Sequence, residues 1–126
     1  MVDDLERWHN PVRRGDIVLV NLDPVRGSEA SKQRPGVVVS NDGANVTAER
    51  SGRGVITIAP VTSNVERVYP FQVLLPAASS GLDRTSKIQA EQVRAVSVER
   101  IGKRIGVVPR ELVRELDEAL RLHLAL

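Results

Sequence analysis

The side chains best suited to chemistry in this sequence are a guanidinium and a pair of hydroxyls, each tied to a proline. Arg34 directly precedes Pro35, and Thr62 and Ser63 come just after Pro60. A proline biases the residue before it toward an extended backbone, so Arg34 is expected at the edge of a sheet. Its planar, permanently charged fork suits two-point contact with a phosphate and stabilisation of charge building on phosphorus. The same permanence makes it a poor proton acceptor. The hydroxyls of Thr62 and Ser63 can donate to a non-bridging phosphate oxygen, or they can satisfy a turn, as such pairs commonly do. Glu29 and Glu91 are the carboxylates that could take a proton from a ribose 2′-hydroxyl in a partly dry site. Arg26 and Lys32 share a loop with Glu29 and would hold phosphates, which sets register without reading bases. Singly, each of these residues reads more readily as an ordinary solvated or turn-forming side chain than as a functional one.

Other chemistries lack their residues. The sequence has no Walker loop, no GxGxxG, no HExxH and no run of metal-spaced His and Asp. Its two histidines, His9 and His123, lie near opposite ends, so a histidine acid–base pair is not expected, and the periodicity around His123 puts that residue in the core. The absence of cysteine excludes disulfides, thiolate-bound zinc and thiol catalysis. Net charge is only +2, yet residues 84–110 carry seven Lys/Arg against two Glu, between acidic ends. Such a distribution permits a phosphate-binding face. With Trp8, Tyr69 and Phe71 as the only aromatics, a base-stacking platform of the RRM or OB-fold kind is not expected.

The elements that must position these groups are short. A chain of 126 residues with 41% apolar and 27% charged residues is expected to form one domain. Residues 1–12 read as a loosely held arm and 13–126 as the domain. Residues 16–23 form a strand covered on much of both faces, ended by Pro24. Residues 24–34 are a polar loop, after which Pro35 introduces a strand over 36–40. A helical turn or two is expected over 45–50. Further strands are expected over 55–59, closed by Pro60, and over 71–75, 87–93, 95–98 and 105–108. After Pro109, apolar residues recur at three- and four-residue spacing through Leu112, Leu116, Leu120 and Leu124, which predicts a helix of about four turns lying on a sheet. Several short strands with one terminal helix predict a mainly β (α+β) fold, a small, strongly curved sheet or barrel. No apolar run approaches the roughly 20 residues of a membrane helix, and Asp3, Asp4 and Glu6 occupy the place of a secretory signal's basic start. A soluble, cytoplasmic protein is expected.

Arg14-Gly15-Asp16-Ile17, Asn21-Leu22-Asp23-Pro24, Gly27-Ser28-Glu29, Arg34-Pro35, the valine run to Ser40-Asn41-Asp42, Pro60-Val61-Thr62-Ser63, Glu91-Gln92 and the terminal helix occur in one order. In that order they closely resemble the motifs of the MazF/PemK family of toxin endoribonucleases, over nearly the whole chain. The resemblance implies an SH3-like barrel and a likeness in activity: cleavage of single-stranded RNA at short motifs without metal or cofactor. It also implies a homodimer and a cognate, MazE-like antitoxin whose tail occupies the RNA groove. Carried over by position, Arg34 and Thr62 match the catalytic arginine and threonine, Glu29 a site-lining glutamate, and Glu91-Gln92 an acid–Gln pair near the cleft. Ser28, Ser63 and Gln92 join Arg26 and Lys32 as expected RNA contacts. Gln89 stands where PemK-type members carry a catalytic arginine, and Ser28 where they carry a histidine, so the Arg/Thr version of the chemistry is implied. Two other functions fit a domain of this size: a gyrase poison of the CcdB type, whose aromatic C-terminal tail Leu124-Ala125-Leu126 lacks, and a basic binding module without catalysis.

Overall fold

Seven strands and three helices follow one another in the computed structural model, which describes residues 11–22 and 33–126. The strands are β1 (Asp16–Asn21), β2 (Gln33–Val38), β3 (Val55–Thr62), β4 (Gln72–Leu75), β5 (Ser86–Gln89), β6 (Arg94–Ser97) and β7 (Ile101–Val107). The helices are α1 (Asp42–Ser51), α2 (Ala77–Ser80) and α3 (Arg110–Leu124). All strand pairs are antiparallel, in the order β4-β5-β3-β2-β1-β7, with β6 also paired to β3. The result is the small, curved, SH3-like sheet with a C-terminal helix that the sequence predicts. Among the described residues no helix is long and apolar enough to cross a membrane.

Alternation along the central strands divides the core in two. Ile17, Val37, Ala59, Val61 and Ile88 face one way and pack beneath Leu116, Ala119 and Leu120 of α3. Val18, Val20, Val38, Ile56 and Ile58 face the other way, with Val96 and Ala48 of α1. Both faces of the middle strands are therefore buried, which is why β1 reads as a nearly continuous apolar run. The helix stripe is used only in part. Leu122, His123 and Leu124 are exposed because the last turn of α3 runs past the sheet, so His123 is not the core histidine that periodicity suggests.

Arg14-Gly15-Asp16 proves to be an architectural knot. The Arg14 amide donates to Asp42 Oδ1 at 2.8 Å, its Nε donates to the Val39 carbonyl at 2.9 Å, and its guanidinium pairs with Asp117 at 2.8 Å. One side chain thus joins the start of β1 to α1 and α3. Asp16, almost fully buried, accepts from the Arg13 amide and from Arg104 of β7. Of the expected N-terminal arm, residues 1–10 lie outside the described residues. Val12, at its end, donates its amide to Glu49 Oε1 and packs on the second core cluster.

The largest departures from expectation concern the two prolines. Both were expected to mark strand boundaries, yet Pro35 is the third residue of β2 and Pro60 lies within β3. Pairing between these strands runs from Val38↔Ile58 to Gly36↔Pro60 and stops there. A proline has no N–H to continue a ladder and is tolerated where one edge is free. Beyond that point β2 remains paired to β1 as far as Asn21↔Gln33, and β3 remains paired to β5 through Val61↔Ile88 and Thr62↔Lys87. The two strands fork, each backed by an outer neighbour. Elsewhere, the expected strand over 87–93 is cut short by a single 3-10 turn, Ala90–Gln92, and α1 and β7 extend further than their sequence patterns suggest.

Gly106 shows how tightly β7 crosses the turn after α2. A Cβ placed on it would lie 1.9 Å from the Ser80 carbonyl oxygen, and one on Gly81 would lie 2.9 Å from the Ile105 oxygen. Gly106→Ala is expected to cost about 1–3 kcal/mol, the usual range for overpacking. A lowered urea midpoint at unchanged slope would show it; an unchanged midpoint would mean the backbones separate without strain.

Candidate functional site

The fork between β2 and β3 opens as a cleft of about 440 Å³, floored by Val61 and Ser86 and rimmed by Gln33, Arg34, Pro35, Thr62 and Ser63. Continuing the β2–β3 register two residues past Gly36↔Pro60 brings Arg34 level with Thr62. Residues opposite one another in antiparallel strands share a face, so the guanidinium and the hydroxyl rise from the same side of the fork. Arg34 is exposed, and its side chain makes no hydrogen bond or ion pair with the described residues. Its charge is available to a ligand. Thr62 Oγ1 accepts from the Asn64 amide at 3.2 Å. That bond occupies a lone pair and leaves the hydroxyl hydrogen to donate outward, so the turn-satisfying and ligand-binding roles of Thr62 are compatible.

A second groove, of about 780 Å³, continues from the first and shares Pro35, Ser63 and Ser86 with it. Leu19, Leu82 and Ile105 form its apolar part, and Arg84, Lys103 and Arg104 its cationic part, with the Asp83 carboxylate among them. Arg104 also contacts the buried Asp16 carboxylate at 3.3 Å. The side chains of Arg84 and Lys103 are exposed and take no partner among the described residues. Ser86 is buried, and its hydroxyl donates to the Arg84 carbonyl at 3.0 Å, which fixes the backbone where the two grooves meet. Together they make a channel in which Arg34, Arg84, Lys103 and Arg104 outnumber the one carboxylate, Asp83, a surface suited to phosphate oxygens.

Arg34, Thr62 and Ser63 are thus brought together. Arg26, Ser28, Glu29 and Lys32 lie outside the described residues; the chain leaves β1 after Asn21 and returns at Gln33, itself part of the cleft wall. Glu91 and Gln92 do not line the cleft. Glu91 Oε2 accepts from the Gln72 amide at 2.7 Å, its Oε1 is buried without a hydrogen bond from the described residues, and Gln92 is exposed on the 3-10 turn. Among the described residues no three His, Cys, Asp or Glu side chains cluster closely enough to hold a metal ion. Sequence reasoning missed Gln33, Ser86, Arg84 and Lys103. The last two belong to the basic stretch noted above, but only the crossing of β7 over the turn at Gly81 shows that they share a groove. Ser86 carries no signal in the sequence.

Comparison with known proteins agrees with this architecture. The family model described as PemK-like, MazF-like toxin of type II toxin-antitoxin system matches residues 13–124. Endoribonuclease MazF9 of Mycobacterium tuberculosis is 60% identical over 115 residues, covering 91% of this chain and 98% of the relative. Endoribonuclease EndoA of Bacillus subtilis is 33% identical over 116 residues, covering 91% and 96%. Among solved structures, a MazE–MazF complex from Deinococcus radiodurans superposes with a TM-score of 0.72 at 27% identity, covering 91% of this chain and 96% of that one.

Proposed function

Since the chain belongs to the PemK-like, MazF-like toxin family, we propose that it is an endoribonuclease that cuts single-stranded RNA within the forked cleft. The observation that carries this is the convergence of Arg34 and Thr62 on one open, donor-lined cleft. The reaction is in-line attack of a ribose 2′-oxygen on the adjacent phosphorus. The 2′ proton passes to a carboxylate, the bond from phosphorus to the 5′-oxygen breaks, and that oxygen takes up a proton from water. A 2′,3′-cyclic phosphate and a 5′-hydroxyl result. Arg34 neutralises the charge of the phosphorane, and Thr62 donates to a non-bridging oxygen. Glu91 already holds Gln72 away from the cleft lining, so the proton acceptor is assigned to Glu29. Ser63 and Ser86 border the same phosphate, Arg26, Ser28 and Lys32 are assigned further contacts with the RNA, and Lys103 and Arg84 carry its backbone along the second groove. The names of the relatives support the substrate class, and that of the solved MazE–MazF complex supports a cognate, MazE-like antitoxin. A cytoplasmic homodimer with one domain over residues 13–126, acting without metal or cofactor, completes the proposal.

A long single-stranded RNA incubated with the pure protein is expected to yield discrete fragments, in EDTA as well as without it. Substituting 2′-deoxy at the scissile nucleotide should abolish cutting, and cleavage of that substrate would refute the mechanism. Arg34→Ala should lower the single-turnover rate by roughly 10²- to 10³-fold, by analogy with loss of one donor to a developing oxyanion. Glu29→Gln should lower it by roughly 10²- to 10⁴-fold, the range of general-base contributions, with Glu91→Gln close to wild type. The reverse pattern for the two glutamates would transfer the base to Glu91.

Lys103→Ala is expected to weaken binding of unrelated single-stranded RNAs equally. It should also reduce the slope of log K against log salt by about 0.7, the value for one phosphate contact on a single strand. An unchanged slope would remove Lys103 from the RNA path.

A further inference from the structure

Two of the three aromatic side chains, too few on sequence grounds for a stacking platform, meet face to face. The rings of Tyr69 and Phe71 stack with centroids 5.3 Å apart and 10° between their planes. Tyr69 is 42% exposed, and the Arg67 guanidinium donates toward its hydroxyl at 3.4 Å. All three residues lie on the segment that leaves β3 immediately after Thr62 and returns at β4.

This segment contains neither helix nor strand between Thr62 and Gln72, yet it is fastened at two points. Lys87, buried, donates from Nζ to the Arg67 carbonyl at 2.6 Å. The Gln72 side chain accepts from the Tyr69 amide at 3.1 Å while donating to Glu91 at 2.7 Å. Lys87 is also the cross-strand partner of Thr62. Paired residues of this kind have Cα atoms roughly 5 Å apart, so the Arg67 carbonyl lies one lysine side chain from the position beside Thr62. A buried ammonium is costly without hydrogen bonds, which makes that contact a firm anchor. A rigid, water-facing ring with a guanidinium beside it matches what holds an unpaired nucleobase: a π-face for stacking and a planar cation. No other pair of rings among the described residues offers such a surface.

We propose that Arg67, Tyr69 and Phe71 form a stacking platform for one unpaired base of the substrate strand, next to the linkage held between Arg34 and Thr62. This inference rests on the RNA-cleaving function above and adds to it a subsite that senses a base.

The test uses the full chain and an RNA oligonucleotide spanning a cut mapped on a long transcript, with 2′-deoxy at the scissile nucleotide. Binding is followed by fluorescence anisotropy, and the oligonucleotide is also made with a single abasic position at each nucleotide in turn. The wild type should lose affinity at one abasic position beside the cut. Tyr69→Ala should bind the intact strand roughly 5- to 100-fold more weakly, the range for loss of one stacked base, and lose nothing further at that position. Tyr69→Trp should bind like the wild type. The platform is refuted if no abasic position near the cut weakens wild-type binding, if Tyr69→Ala binds normally, or if its losses are the same factor at every position. It is equally refuted if Tyr69→Ala alters only the oligomeric state by light scattering, which would make the rings a contact between copies. Should Tyr69→Ala not fold, the wild-type abasic series and Tyr69→Trp decide. A protein that cuts RNA while Tyr69→Ala binds normally loses only the platform; one that neither binds nor cuts RNA loses the parent function too.

Discussion

Two strands that cannot stay paired open the candidate site of this molecule. At Gly36↔Pro60 the ladder between β2 and β3 ends, with Pro35 on one strand and Pro60 on the other and no N–H from either to prolong it. Separation is tolerated because each strand keeps its outer neighbour, β1 on one side and β5 on the other. The unpaired edges are thereby confined to a single seam open to solvent, where backbone groups are not left buried and unsatisfied. Arg34 and Thr62 sit on that seam two residues beyond the last pair, which brings two residues distant in sequence to one cleft.

Several cations among the described residues fall into two groups with different work. Arg14, Arg100 and Lys87 are engaged by protein acceptors: Arg14 joins three elements, Arg100 donates to the Asn21 carbonyl, and Lys87 holds the Arg67 carbonyl. Arg104 leans on Asp16 at the edge of the groove. Arg34, Arg84 and Lys103 face the channel with no partner among the described residues. A net charge of +2 therefore understates the field along the channel, since Glu111, Glu115 and Glu118 of α3 border a different pocket, with Arg114, Pro70 and Gln72. Cations free of partners among the described residues, along one channel, suit capture of a polyanion from that side.

Much of the fold was legible in the sequence because it follows from period. Alternation along β1 to β3 and the stripe of α3 depend on local pattern, and the structure bears them out. The prolines were misjudged as strand ends because a single sequence shows the missing N–H but not which neighbour would have received it. His123 was misplaced because periodicity continues to the end of a helix whether or not a sheet lies beneath it. Of the site, the pairing of Arg34 with Thr62 was anticipated from motif order, whereas Ser86 and Lys103 enter the groove only through tertiary crossings at Gly81 and Gly106. Tyr69 and Phe71 illustrate the same limit from the other side: composition counts aromatic rings, and only geometry reveals that two of them meet.

The shared action of Arg34 and Thr62 on one phosphate is most directly examined with a double-mutant cycle in single-turnover RNA cleavage, using Arg34→Ala, Thr62→Val and the pair. Groups that act as a unit on one transition state are strongly non-additive. The double variant should therefore be about as slow as the slower single variant. Rate losses that simply multiply would mean that the two side chains serve separate steps or separate phosphates, and would contradict a common site at the fork.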